Sequence, residues 1–94
     1  MKFVTTFTIR PGCHQEAVER LLGGKAPLPA GVTLIGRWFK TDGSGGFSVY
    51  ETDDPSAMFA NAVLWSDVLE VQSSAVVEGA VAASALAARY GMPK

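Results

Sequence analysis

The chain predicts an α+β domain of ferredoxin-like plan, β-α-β-β-α-β with a C-terminal helix and an antiparallel sheet. Three observations carry this reading. Period-two alternation marks four short segments. Two apolar segments of helical period separate them in the order the plan requires. A Gly-rich turn, Thr41 to Gly45, joins the two middle strands as a hairpin.

Residues 2–10 open the chain with alternating faces. Phe3, Thr5, Phe7 and Ile9 share one; Val4, Thr6, Thr8 and Arg10 share the other. β-branched and aromatic side chains suit a pleated strand. Pro11-Gly12 ends it. Residues 13–22 read as an amphipathic helix with Cys13, Ala17, Val18, Leu21 and Leu22 inward. Glu16 and Arg20 stand i,i+4 with the acid first. Gly23-Gly24 stops the helix, and Lys25 to Gly31 forms a loop stiffened by two prolines.

Residues 32–40 and 46–52 are the arms of the hairpin. Val32, Leu34, Gly36 and Trp38 share one face of the first arm; Thr33, Ile35, Arg37 and Phe39 share the other. An even register sum would set Arg37 on the face of Glu51, and an odd sum would separate them. Asp54-Pro55 opens the second helix, Asp54 as cap and Pro55 at the first helical position. Its expected inner arc is Met58, Phe59, Ala62, Val63 and Trp65. Leu64, Ala60 and Ala57 opposite are also apolar, which asks for a second packing partner. Residues 69–78 alternate again, with Glu70, Gln72 and Ser74 on the polar face. Residues 80–90 form an Ala-rich helix whose apolar residues surround it. Such a sheet carries helices on one face only, so the other meets water or a second sheet.

Composition narrows the function classes. The 94 residues make one domain, 1–94, with 48% apolar and only 18% charged residues. So much apolar surface on so small a chain favours a homodimer. A net charge of −1 provides no basic field for nucleic acid. No run of 18 apolar residues spans a membrane. The N-terminal segment lacks the apolar run of a signal peptide, and the single cysteine fits a reducing, cytoplasmic setting.

Chemistry-bearing residues are few. Arg37 and Glu51 are ligand-binding candidates, Arg37 as a carboxylate or phosphate anchor and Glu51 orienting it; the other reading is a structural ion pair beneath or across the dimer interface. Phe39 shares the Arg37 face. Glu70 and Gln72 would line the same space, meet the partner chain or simply face water. His14, the single histidine, is expected near the apolar side in the first turn of its helix, as a polar residue filling a helix–sheet edge or as a general base at the rim of a cavity. Cys13 reads as a small filler. Trp38, Phe59, Trp65 and Tyr50 read as core, Gly36 as a gap crossed by the Tyr50 ring, and Asp67 as a turn or cap residue. One His, one Cys and no carboxylate cluster beyond Asp53-Asp54 give no metal-ligand spacing. No cofactor motif is present.

At GVTLIGRW (31–38), GFSVYETDDP (46–55) and WSD (65–67) the chain resembles a bacterial domain-of-unknown-function family. That family is similar to the dimeric α+β barrels, in which two ferredoxin-like sheets face each other. The superfamily includes antibiotic-biosynthesis-type monooxygenases, haem-degrading enzymes and stress-responsive barrel proteins. The resemblance implies a fold and a sheet-to-sheet dimer, and no single activity. Many members carry His after Gly-Arg-Trp; Phe39 stands there in this chain. The expected function is binding of a small molecule in or near the barrel interior. The alternatives are a cofactor-independent monooxygenase, a class that commonly uses Asn, His and Trp, and a purely structural dimerisation domain. The one Asn is Asn61, which lies off the expected arc.

Overall fold

The computed structural model describes residues 1–24 and 27–93. Lys25 and Ala26, at the start of the expected loop, and Lys94 lie outside them. The elements are β1 (Lys2–Ile9), α1 (His14–Gly23), β2 (Thr33–Phe39), β3 (Gly45–Glu51), α2 (Pro55–Trp65), β4 (Leu69–Val76) and α3 (Gly79–Tyr90). The sheet order is β2-β3-β1-β4 with every adjacent pair antiparallel. This is the ferredoxin-like order expected from the sequence.

Local chemistry sets the boundaries. The Asp54 side chain accepts from the Ser56 amide at 2.9 Å, so the cap at Asp-Pro is as expected. The hairpin closes through Lys40 N–H to the Gly45 carbonyl, with Gly43 at φ +76. Asp42 accepts from the Ser44 amide and hydroxyl at 2.9 and 2.7 Å, which fixes the turn and holds its carboxyl below the usual range.

Phe3, Thr5 and Phe7 of β1 turn towards α1 and α2, joined by Ser48 and Tyr50 of β3 and Leu69 of β4. The opposite face is open: Thr6, Thr8, Phe47, Glu70, Gln72 and Ser74 are exposed. The apolar interior divides into two clusters. Phe3, Val32, Tyr50, Ala57 and Met58 form one. Phe7, Ala17, Trp65, Val68 and Leu69 form the other. The buried polar residues Thr5, Ser48 and Asn61 fall between them along β1, β3 and α2. Each large side chain in these clusters contributes about 1.5–3 kcal/mol by burial, so a polar belt across the middle is a stability sacrificed.

Three expectations change. The β2–β3 register shifts between Leu34 and Gly36, so Leu34 faces Tyr50 but Arg37 faces Ser48. The sum is even before the bulge and odd after it. One extra residue turns the rest of β2 over. Arg37 and Phe39 therefore lie on the helix side, and Trp38 on the open side. Second, α2 buries Ala57, Met58, Asn61 and Trp65, while Phe59 is 73% and Val63 56% exposed. With apolar residues all round, hydrophobicity does not choose the inner face. Third, Trp38 is not core. It stacks on Phe47 at 5.0 Å and lies over Gly36, where a Cβ would meet its ring at 2.6 Å. The ring crossing Gly36 is thus Trp38, not Tyr50.

The last helix, α3, leaves the end of β4 and stretches the molecule to 51 × 31 × 17 Å. Only Ala87 is buried on it; Val81, Leu86 and Tyr90 are exposed. Lys2 and Glu78 form an ion pair at its base.

Candidate functional site in the cleft between helices and sheet

The polar belt opens into a cleft between α1, α2 and the helix side of the sheet. Thr5, Arg37, Ser48, Tyr50 and Asn61 supply its polar groups. Phe7, Leu21, Trp65, Leu69 and Val71 supply apolar walls. Among the described residues no acidic side chain lines it. The concavity measures about 310 Å³, but the space open to the centre of a water is only about 20 Å³. The smaller figure governs binding: a cavity holds a water from roughly 10–15 Å³ upward, so the inner end seats one or two heavy atoms.

Two of these groups are fixed by each other. The Arg37 Nε donates to Ser48 Oγ at 3.1 Å. Thr5 donates its hydroxyl to Ser73 at 3.0 Å across the β1–β4 pair. The Arg37 terminal nitrogens take part in no hydrogen bond or ion pair among the described residues. Asn61 is only 4% exposed, and its amide has no hydrogen-bond partner among the described residues. Every fully enclosed side-chain N or O does have a partner. The Asn61 amide therefore keeps its contact with the cleft.

Trp65 is held in place from behind. Arg20 grips Asp67 with two hydrogen bonds at 2.8 and 2.9 Å and donates to the Leu64 carbonyl at 3.0 Å. Its guanidinium also lies 5.6 Å from the Trp65 ring centre. The i,i+4 partner Glu16 adds a contact at 3.2 Å. Asp67 sits in the turn after α2, as expected, and is also the ion-pair partner of Arg20, whose hydrogen bonds hold its carboxyl below the usual range.

The chain matches the model of a domain of unknown function, DUF3303, over residues 1–90. It belongs to that family. No curated protein matches it. The DUF3303 family carries no stated activity, so the chemistry of this member rests on its own side chains.

In this DUF3303 domain the sequence-predicted site residues do not converge. Arg37 stands in the cleft. Glu51, on β3, accepts from the Met1 amine at 2.9 Å at the other end of the sheet. Arg37 and Glu51 are therefore not neighbours, because the bulge sends them to opposite faces. Phe39 packs edge-on against Phe7 at 5.8 Å. Glu70 and Gln72 are exposed on the open face. His14 is exposed at the start of α1, beside the hairpin turn at Gly43, rather than on the apolar side. Among the described residues no group of three or more His, Cys, Asp or Glu side chains could hold a metal ion. No helix of the described residues is long and apolar enough to cross a membrane. Thr5, Ser48 and Asn61 were missed as site residues. The signal available for them was a polar residue at an inward position of each element, Thr5 between Phe3 and Phe7 above all.

Proposed function

We propose that this DUF3303 member is a small-molecule-binding module that acts as a homodimer, with the ligand seated in the cleft at Arg37, Ser48 and Asn61. One observation carries the binding reading. Asn61 is buried in the middle of the core with an amide that no described side chain or backbone group satisfies. Buried polar groups in proteins are nearly always hydrogen-bonded, so a group left open to a cleft is a group kept for an occupant or its waters. The seat is beneath the helices and not inside a barrel.

The dimer reading rests on two exposed apolar surfaces. The stacked Trp38–Phe47 pair, with half-buried Val4 and Val49, lies on the open sheet face. The α3 helix offers Val81, Leu86 and Tyr90 with nothing to cover them. Exposed apolar area of this kind marks an interface. Glu70 and Gln72 would then meet the partner sheet, in the manner of the dimeric α+β barrels, and a cytoplasmic setting suits a chain with one free thiol. Sedimentation at micromolar concentration is expected to give twice the 9.9 kDa chain mass; a monomer alone overturns the dimer.

The binding test is a thermal-melt screen of small metabolites on the protein and on Asn61→Leu. Hits that the variant loses support the cleft; hits it retains place the ligand elsewhere, and an absence of hits favours the structural dimerisation domain. One observation keeps the monooxygenase reading in view: Asn61 and Trp65 line the cleft together. His14 is absent from it. Oxygen uptake on addition of a bound aromatic would move the assignment to that class.

A further inference from the structure

We infer that the cleft ligand is a small monocarboxylate, its head group held end-on by the two terminal nitrogens of Arg37. This rests on the cleft being a binding site and adds its chemical class. Arg37 is half-buried and meets no counter-charge among the described residues, and no acidic side chain lines the cleft. A guanidinium so placed matches a planar carboxylate with two parallel N–H···O bonds. The Nε bond to Ser48 fixes the plane of the fork.

The remaining groups set the charge and size of the ligand. One cation balances a monoanion. A phosphate dianion would need more donors, and the cleft faces the C-terminal half of α2 (Asn61 to Trp65), the negative end of the helix dipole. The inner space of about 20 Å³ admits two carboxylate oxygens in place of one or two waters. Asn61 then donates its N–H to one oxygen. Phe7, Leu21 and Trp65 are left for a short apolar tail pointing to the mouth. The cleft thus suits an acid such as propionate or benzoate, and not a nucleotide or a sugar phosphate.

The test uses nuclear magnetic resonance on the full chain at constant ionic strength. Asn61 is the single Asn, and Trp65 is one of two tryptophans, so both side-chain N–H signals are assignable. Propionate and benzoate are titrated against their neutral isosteres, propionamide and benzamide. Saturable shifts at Asn61 and Trp65, at least tenfold weaker for the amides, are expected. Arg37→Gln should reduce acid binding to the level of the amide, and Arg37→Lys should recover part of it. Equal binding of acid and amide overturns the anion assignment and leaves the cleft site standing. Acid binding untouched by Arg37→Gln removes Arg37 as anchor. No shift at either reporter with any probe overturns both the ligand class and the cleft. Should Arg37→Gln fail to fold, the comparison of acid with amide decides alone.

Discussion

Replacing Asn61 by leucine should make the protein more stable. The side chains are close in size, so the packing around Met58 and Trp65 survives. An amide buried without a protein partner costs roughly 1–3 kcal/mol. Asn61 is 4% exposed and its amide touches the cleft, where a water offsets part of that cost. The lower end applies, a gain of about 1 kcal/mol. For a domain of this size that is a rise in Tm of ~4–8 °C. The assay is chemical denaturation in urea, with m compared between variant and parent so that a change in the unfolded state is not mistaken for stability. The same variant should lose the response to small ligands. More stability with less binding is the signature of a residue kept for function. A loss of 1 kcal/mol or more would show instead that the amide holds a structural hydrogen bond, and the argument for the cleft would fall with it.

Gly46→Ala should cost about 3 kcal/mol or more, because its Cβ would sit 2.0 Å from the Trp38 carbonyl, a backbone atom with nowhere to go; an unfolding midpoint within a few degrees of the parent refutes the packing. Gly36→Ala meets only the tip of the Trp38 ring. It should cost about 1 kcal/mol and shift Trp38 fluorescence to the red as the ring leaves the sheet. Trp38→Ala should weaken the proposed dimer about thirtyfold, as truncation of a central aromatic at about 2 kcal/mol does; sedimentation across a concentration series reads it. The Asp67 carboxyl is lowered by Arg20 in the folded state. Its contribution is present above the unfolded value of about 3.9 and is lost as pH falls through the folded one. Arg20→Ala should flatten the acid limb of stability against pH; an unchanged limb removes the ion pair as its source.

Element order, caps and the faces of β1 and β4 were legible because each follows from residue type at a fixed spacing. The Asp54 cap and the turn glycines needed no tertiary information. The faces of β2 and α2 were not legible, for different reasons. The bulge at Ile35 carries no proline or Asn-Gly; its sole local trace is Gly36, since an isolated glycine in a strand often accompanies a bulge. In α2 the apolar residues surround the helix, so packing against the sheet chose Asn61 inward and Phe59 outward. Arg37 stands out in the sequence as a charged residue on a strand and lines the cleft, but Ser48 and Asn61 beside it come from elements whose inward face only the assembled sheet reveals. The Arg20–Asp67 grip spans 47 residues and has no sequence signature at all.

The register shift beside Ile35 has a bearing on how relatives are read. A strand is a two-sided address, and an inserted residue either turns every later side chain to the other side or is absorbed by a bulge. Without Ile35, Leu34 and Gly36 would lie opposite Tyr50 and Val49 with no bulge, and Arg37 would still face Ser48. It is Ile35 paired in regular register that would turn Arg37 and Phe39 to the open face and Trp38 to the interior. A relative with the same letters at Gly-Arg-Trp and one residue fewer before them would therefore keep its arginine on the helix side without a bulge, whereas one of the same length paired regularly would offer it to a different neighbour. The side on which this arginine lies is set by the pairing of β2 with β3 as much as by the residues of β2.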